Sequence, residues 1–210
     1  MTTEVEARFR ASGPGPLAFL ATVPRLGPAE LGSAEASSEL DVYLDTADGA
    51  LAAARWACRL RTRGERVTLS LKGPPDPAAG GWLHRRPEAE GPATEDRDPG
   101  AWPHSAARDL LQRLAGDAPL VERFVLHQQR VERAVTHGTH RLGTLSLDTV
   151  DVEHEGAPVG RLHVVELELT AGTEEEAVLD PLARELEAVP GLAPEPRTKL
   201  ERALALIAGR

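Results

Sequence analysis

The chain has 210 residues, a formal net charge of −9, and 41% apolar and 27% charged residues, an ordinary balance for a single globular domain with a real core, expected to span 1–210. No apolar run approaches the roughly 20 residues that span a bilayer, and a chain of net negative charge lacks the uncompensated basic face that a nucleic-acid duplex requires. The single Cys58 excludes an internal disulfide; with an N-terminus that has neither the basic nor the apolar region of a secretory signal, it fits a reducing cytoplasm.

In chain order, period-2 alternation predicts about eight strands, over 2–9, 40–45, 56–63, 66–72, 82–90, 121–135, 142–152 and 159–170. Arg63-Gly64-Glu65-Arg66 reads as a hairpin turn between the third and fourth of these. Helical patterning covers 15–25, 48–55 with Asp48 as its N-cap, 104–115, 174–188 and 196–208. The segments 73–81 and 91–100 read as Pro-rich polar loops, and the charge and length of 91–100 make it a candidate gate.

The strands carry full charges on one face and apolar side chains on the other. Glu4, Glu6 and Arg8 share a face opposite Val5, Ala7 and Phe9, and Glu166 and Glu168 share a face opposite Val165, Leu167 and Leu169. Such faces belong either to an open antiparallel sheet with one wet side or to a closed barrel with a charged lumen and helices outside. Periodicity alone leaves both open.

The acids, with Asp148, are the hard oxygen donors that Mg²⁺ or Mn²⁺ prefers, although Glu-x-Glu on a strand is equally what a solvated face paired with neighbouring Lys or Arg looks like. The bases Arg59, Arg61, Lys72, Arg86, Arg130, Lys199 and Arg202 suit phosphate oxygens, as forks or as point charges, or else salt bridges to those same acids. Near Arg130, Glu132 and Arg133 compete for the inward position. No phosphate-binding Gly-rich loop and no nucleophile elbow is present. His137 and His140 flank a turn without a Cys partner and read as surface residues, Cys58 reads as core, and Trp56, Trp82 and Trp102 are too scattered to stack bases.

Taken in series, several motifs resemble the CYTH domain, the adenylyl cyclase/thiamine triphosphatase group of triphosphate tunnel metalloenzymes. They are Glu4-x-Glu6-x-Arg8, Tyr43-Leu44-Asp45-Thr46, Cys58-Arg59-Leu60-Arg61, Leu69-Ser70-Leu71-Lys72-Gly73, Arg86-Pro87-Glu88-Ala89-Glu90, Arg130, Leu147-Asp148, Glu166-Leu167-Glu168 and Thr198-Lys199-Leu200-Glu201-Arg202. The resemblance implies an α+β fold, an eight-stranded antiparallel tunnel with helices outside and a C-terminal closing helix. It implies triphosphate binding by Arg8, Arg59, Arg61, Lys72, Arg86, Arg130, Lys199 and Arg202, and Mg²⁺ or Mn²⁺ held by Glu4, Glu6, Glu88, Asp148, Glu166 and Glu168. Glu4, Glu6, Lys72 and Glu168 would be catalytic. The partner would be a small polyanion: inorganic, nucleoside or thiamine triphosphate, or polyphosphate. A non-catalytic polyphosphate or nucleotide-binding module and an ATP-cyclising adenylyl cyclase are the alternatives, and a homodimer is left open. Arg8 departs from the family signature, which has Lys there.

Overall fold

The structure, a computed structural model, describes residues 1–77, 81–170 and 175–209. Its elements in chain order are β1 (Thr2–Ala11), α1 (Pro14–Thr22), β2 (Arg25–Leu26), β3 (Ala29–Leu31), β4 (Glu35–Thr46), α2 (Ala50–Ala53), β5 (Ala57–Arg63) and β6 (Arg66–Lys72). There follow β7 (Leu83–Pro92), α3 (Ala106–Ala115), β8 (Leu120–His137), β9 (His140–His154), β10 (Ala157–Leu169), α4 (Glu175–Glu187), β11 (Leu192–Pro194) and α5 (Lys199–Ala208). All eight expected strands and all five expected helices are present. Residues 78–80 of the expected loop 73–81 and residue 174 of the expected fourth helix lie outside the described residues.

Eight strands close a barrel in the order β8, β4, β5, β6, β7, β1, β10, β9, with β9 returning to β8, and every neighbouring pair is antiparallel. Closure removes the edges that an open sheet would expose. Three strands too short for alternation to signal are added outside the ring: β2 and β3 extend from the end of β8, and β11 pairs with the end of β1. The hairpins carry the expected chemistry. Arg63 pairs with Arg66 around Gly64 at φ 59°, and the β9–β10 turn has positive φ at both Glu155 and Gly156, as a type I′ turn demands.

The apolar strand faces point outward under the helices. Val5, Ala7, Phe9, Leu145, Val165 and Leu167 pack beneath Leu17 and Leu20 of α1 and Leu179, Leu182, Ala183 and Leu186 of α4, which recur at helical spacing. On the opposite wall Cys58, Leu60, Leu69 and Leu71 pack beneath Leu51 of α2 and Leu111 of α3, joined by the buried Trp102. Among the described residues no helix is long and apolar enough to cross a membrane.

The barrel interior is divided along its axis. At one end Phe124, Leu126, Val150, Val152, Leu162 and Val164 form an apolar cluster that meets Ala203 and the partly buried Leu200, Leu206 and Ile207 of α5. This helix closes that end. The same strand faces then continue as charge: Leu126 to Gln128 and Arg130, Val150 to Asp148, Val164 to Glu166 and Glu168.

Local expectations are corrected at several points. The first helix stops at Thr22, and Arg25 enters β2. Asp48 does not cap α2: its carboxylate accepts from the Thr46 hydroxyl at 2.6 Å, while the Thr46 hydroxyl accepts from Ala50 N at 2.8 Å. Asp45 accepts from Leu51 N at 2.9 Å and Ala52 N at 3.1 Å, so the end of β4 caps the helix that follows it. The stretch 91–100 is shorter as a loop than expected, since β7 runs to Pro92 and Pro99–Ala101 is a 3₁₀ turn. Replacing Asp45 with Ala strands the buried Thr46 N and Leu51 N and the part-buried Ala52 N, and is expected to cost about 1–3 kcal/mol of unfolding free energy in urea titrations.

Candidate active site

The charged stretch of the interior lines a cavity of about 160 Å³ with side chains from β1, β4 to β10 and the start of α5. Seven of the lining side chains are cationic and six are acidic, and the buried Asp41 and Asp148 stand behind the cations, so the interior is a dense and nearly balanced array of charge. The antiparallel register sets most of them against an opposite charge. Arg8 lies across from Glu166, Arg86 from Glu4, Lys72 from Glu88, Arg61 from Asp41, and Arg130 from Asp148.

The deeper group is built on Asp148 and Glu166. Arg130 grips Asp148 through Nε at 2.8 Å and Nη2 at 2.7 Å, and Lys199 Nζ reaches Asp148 and Glu166 at 2.6 Å each. These cations hold both carboxyls below their usual range against the opposing effect of burial. Lys199 arrives here because Thr198 caps α5, accepting from Glu201 N while Glu201 reaches back to Thr198 N. On the neighbouring wall the fully buried Asp41 accepts both arms of Arg61 at 2.7 and 2.8 Å, Nη1 of Arg59 at 3.2 Å and the amide of Gln128 at 2.6 Å. Arg59 retains a buried Nε with no hydrogen-bond partner, a spare donor in the cavity wall.

Nearer the other end, Glu4 pairs with Lys72 and accepts from Arg86 Nε at 2.7 Å. Burial works against its ionisation, but these two cations win and bring its pKa down to about 2. Glu6 pairs with Arg8, and Glu88 lies 3.1 Å from Lys72 Nζ. One facing pair is of like charge: Glu6 stands opposite Glu168. Glu6 is pushed up by burial and by Glu4 and Glu166, with Arg8 opposing. Glu168 is pushed up to about 7 by the enclosing wall and by the carboxylates of Glu4, Glu6 and Glu88, with Lys72 opposing. The residue is nonetheless open to solvent, which tempers the effect of the wall and leaves the acidic crowd as the firmer cause.

A closed antiparallel barrel whose inner face alternates basic and acidic side chains, sealed at one end by a C-terminal helix that inserts a lysine, coincides with a match to the CYTH domain over residues 2–204. The chain belongs to the CYTH domain family. Solved structures agree at the level of fold. A candidate adenylyl cyclase of Hippeastrum, described as having a dominant triphosphatase activity, aligns at TM-score 0.67 and 19% identity, over 99% of this chain and 96% of that one. A candidate adenylate cyclase of Bacillus halodurans aligns at 0.61 and 18%, over 96% and 98%, and the Mimivirus capping enzyme triphosphatase at 0.50 and 11%, over 89% and 90%. No curated protein matches the sequence significantly.

Of the residues expected in the CYTH tunnel, Glu4, Glu6, Arg8, Arg59, Arg61, Lys72, Arg86, Glu88, Arg130, Glu166, Glu168 and Lys199 all line the cavity, and Asp148 lies directly behind Arg130 and Lys199. Arg202 does not line it; its guanidinium turns to Glu195 at 3.4 Å. Nor does any residue of 91–100, so that stretch is not at the cavity. Arg130 and Arg133 separate cleanly. Arg133 points out of the barrel and donates to the carbonyls of Leu20, Val23, Leu31 and Gly32, tying α1 and β3 to β8.

Sequence reasoning missed Glu39, Asp41 and His84. Alternation along Glu39-Leu40-Asp41-Val42-Tyr43 carries the signal for the first two. A further signal lies in composition: Lys72 and Lys199 are the only lysines in a chain with 24 Lys and Arg, and both enter the tunnel.

Among the described residues no three acidic, His or Cys side chains converge as a ready-made metal site. The donor chemistry at the Glu4, Glu6 and Glu168 corner nevertheless fits a hard divalent cation. Its oxygens are the ligands Mg²⁺ and Mn²⁺ take, two of its carboxylates face each other, and Glu168, though it feels the charge of Lys72, makes no ion pair among the described residues. Asp148 and Glu166 meet Arg130 and Lys199, and Glu4 and Glu6 likewise meet Lys72, Arg86 and Arg8, so a cation entering the corner would share Glu4 and Glu6 with those side chains.

His84 lies outside the cavity, buried, with its pKa brought down to about 4 by burial and by Arg8. A histidine depressed in the fold lends stability that is full above its unfolded value, near 6.5, and is lost as pH falls toward 4. The melting temperature of the wild type is therefore expected to drop more steeply between pH 6.5 and 4 than that of His84→Gln, followed by scanning calorimetry.

Proposed function

We propose that this CYTH protein hydrolyses inorganic triphosphate or a small organic triphosphate in the cytoplasm, with Mg²⁺ or Mn²⁺ as cofactor. The observation that carries the reading is the meeting, in one cavity, of a cationic wall with an acidic corner in which Glu6 and Glu168 face each other across adjacent strands. Arg59, Arg61, Arg130 and Lys199 would receive phosphate oxygens, and Asp41, Asp148 and Glu166 hold those cations in place before substrate arrives, so little reorganisation is left for the reaction itself. Lys72 and Arg86 flank the acidic corner and would neutralise the phosphoryl group next to it. Glu4, Glu6 and Glu168, with Glu88 beside them, would hold the divalent cation, which supplies charge neutralisation and orientation of the attacking water.

A non-catalytic triphosphate-binding module is the second reading, favoured by the absence of a preassembled metal site among the described residues. Adenylyl cyclisation needs a base pocket, and the aromatic pair that the tunnel contains, Tyr43 and Phe124, is stacked on itself at 4.6 Å.

Orthophosphate release from inorganic triphosphate is expected to require Mg²⁺ or Mn²⁺, and Glu4→Gln and Glu168→Gln are each expected to lower kcat by at least about 100-fold. Undiminished turnover in EDTA overturns the metal-dependent mechanism; tight calorimetric binding without turnover under any divalent cation establishes the binding module instead. Arg59→Ala and Lys199→Ala are expected to raise KM for triphosphate about tenfold or more, through loss of charge-assisted hydrogen bonds, in the same phosphate-release assay.

A further inference from the structure

Arg8 is almost wholly buried, at 1% exposure, and most of its hydrogen-bonding capacity is already taken. Its Nε donates to Glu166 Oε1 at 3.2 Å, its Nη1 to the Arg197 carbonyl at 3.1 Å and to His84 Nδ1 at 3.3 Å, and its Nη2 to Glu6. Four of the five guanidinium N–H groups are thus engaged. His84 completes the connection: its Nε2 lies 2.8 Å from the Glu195 carbonyl. Because a carbonyl only accepts and a guanidinium only donates, the ring must carry its proton on Nε2 and leave Nδ1 free for Arg8. Glu195 N in turn donates to the Arg8 carbonyl at 3.0 Å.

Three hydrogen bonds therefore stitch residues 195–197 to β1 and β7 immediately before Lys199 enters the tunnel. Lys199 then returns to the same carboxylate, since it binds Oε2 of Glu166 while Arg8 binds Oε1. The circuit is closed: Arg8, Glu166, Lys199, the backbone back to Arg197, and Arg8 again.

We propose that His84 is a positioning residue of the tunnel: by holding Arg8 and the 195–197 segment together, it fixes the entry of α5 and with it the place of the Lys199 ammonium at the phosphate site. Neither His84 nor Glu195 lines the cavity, so the effect is indirect. It also accounts for arginine at position 8. A lysine, with one nitrogen, cannot reach Glu6, Glu166, Arg197 and His84 at once.

The phosphate part of the proposal rests on the triphosphate reading above, and the test separates the two. His84→Gln keeps an amide donor for Glu195 but offers no acceptor at the Nδ1 position; His84→Asn keeps the acceptor there. Lys72 and Lys199 are the only side-chain amines of the chain, so acetic anhydride labelling read by mass spectrometry compares them within one sample, without substrate. In His84→Gln, which loses the acceptor for Arg8, and in His84→Asn, which loses the donor to Glu195, Lys199 is expected to label about tenfold faster relative to Lys72, because either loss opens the link between Arg8 and residues 195–197. Calorimetry with tripolyphosphate in EDTA, where the proposed hydrolysis does not run, is expected to show about tenfold weaker binding in His84→Gln and no further loss when Lys199 is already Ala, because the two act as a unit.

Unchanged Lys199 labelling in His84→Gln, or losses of affinity that simply add in the double variant, overturns the proposal. A wild type that does not bind tripolyphosphate overturns the triphosphate reading, and the labelling still decides the role of His84. If His84→Gln does not fold, as judged by its thermal melt, Arg8→Lys breaks the same circuit from the other side and carries the same labelling expectation.

Discussion

Everything in this protein depends on placing many ionised side chains inside a closed barrel, where an unpaired charge is costly to hold. The antiparallel register meets that requirement by setting basic and acidic residues of adjacent strands across from one another, as with Arg8 and Glu166, Arg61 and Asp41, or Arg130 and Asp148. Such pairs do little to make the fold more stable than an apolar interior would. They hold guanidinium and ammonium groups in fixed positions within a water-poor space, which is what recognition of a compact polyanion requires. Glu6 facing Glu168 breaks the rule, and the electrostatic tension of the site gathers there.

The second organising feature is the change of character along each strand. β8, β9 and β10 begin or end apolar on their inner faces, around Phe124, Val150 and Val164, and become charged toward Arg130, Asp148 and Glu166. One end of the barrel is thereby a core that α5 completes, and the rest is a site. The helix belongs to both. Its apolar face settles on the plug while its first residue, Lys199, projects into the charge network, so stability of the closed end and geometry of the site are linked through one short segment. The outward faces are covered by α1, α4, α2 and α3, which leaves the interior as the place where the barrel's charge is concentrated.

Much of this could be read along the chain. Strict alternation identified the eight barrel strands because each has an apolar outer face against helices and a charged inner face, so the pattern is the same one a half-wet sheet would show. For that reason it did not distinguish sheet from barrel. Glu4, Glu6, Arg59, Arg61, Lys72 and Glu168 were legible as members of the charged face because neighbours two positions away confirmed the phase, and the family resemblance alone turned that face inward. Glu39 and Asp41 were not singled out, although their phase was equally clear, since two acids alternating with Leu40 and Val42 resemble any surface strand. β2, β3 and β11 are too short to carry a period at all.

Where the function of a side chain depends on residues distant in sequence, local reading failed. Asp48 had the form of an N-cap, but Asp45 and Thr46 were better placed by the path of β4. Arg202 had the spacing of a phosphate ligand and instead meets Glu195, and Arg133 was distinguished from Arg130 by the carbonyls of α1 that it gathers. The sequence by itself determined the strand faces, the existence of the helices and the identity of the charges, because these follow from spacing of two or three to four residues along one backbone. Only the tertiary structure decided that the sheet closes, which acid meets which base, and that His84, 115 residues before Lys199 in the chain, stands beside the turn that delivers it. Those are facts of register and closure, and they arise from contacts between segments that carry no trace of one another in their local pattern.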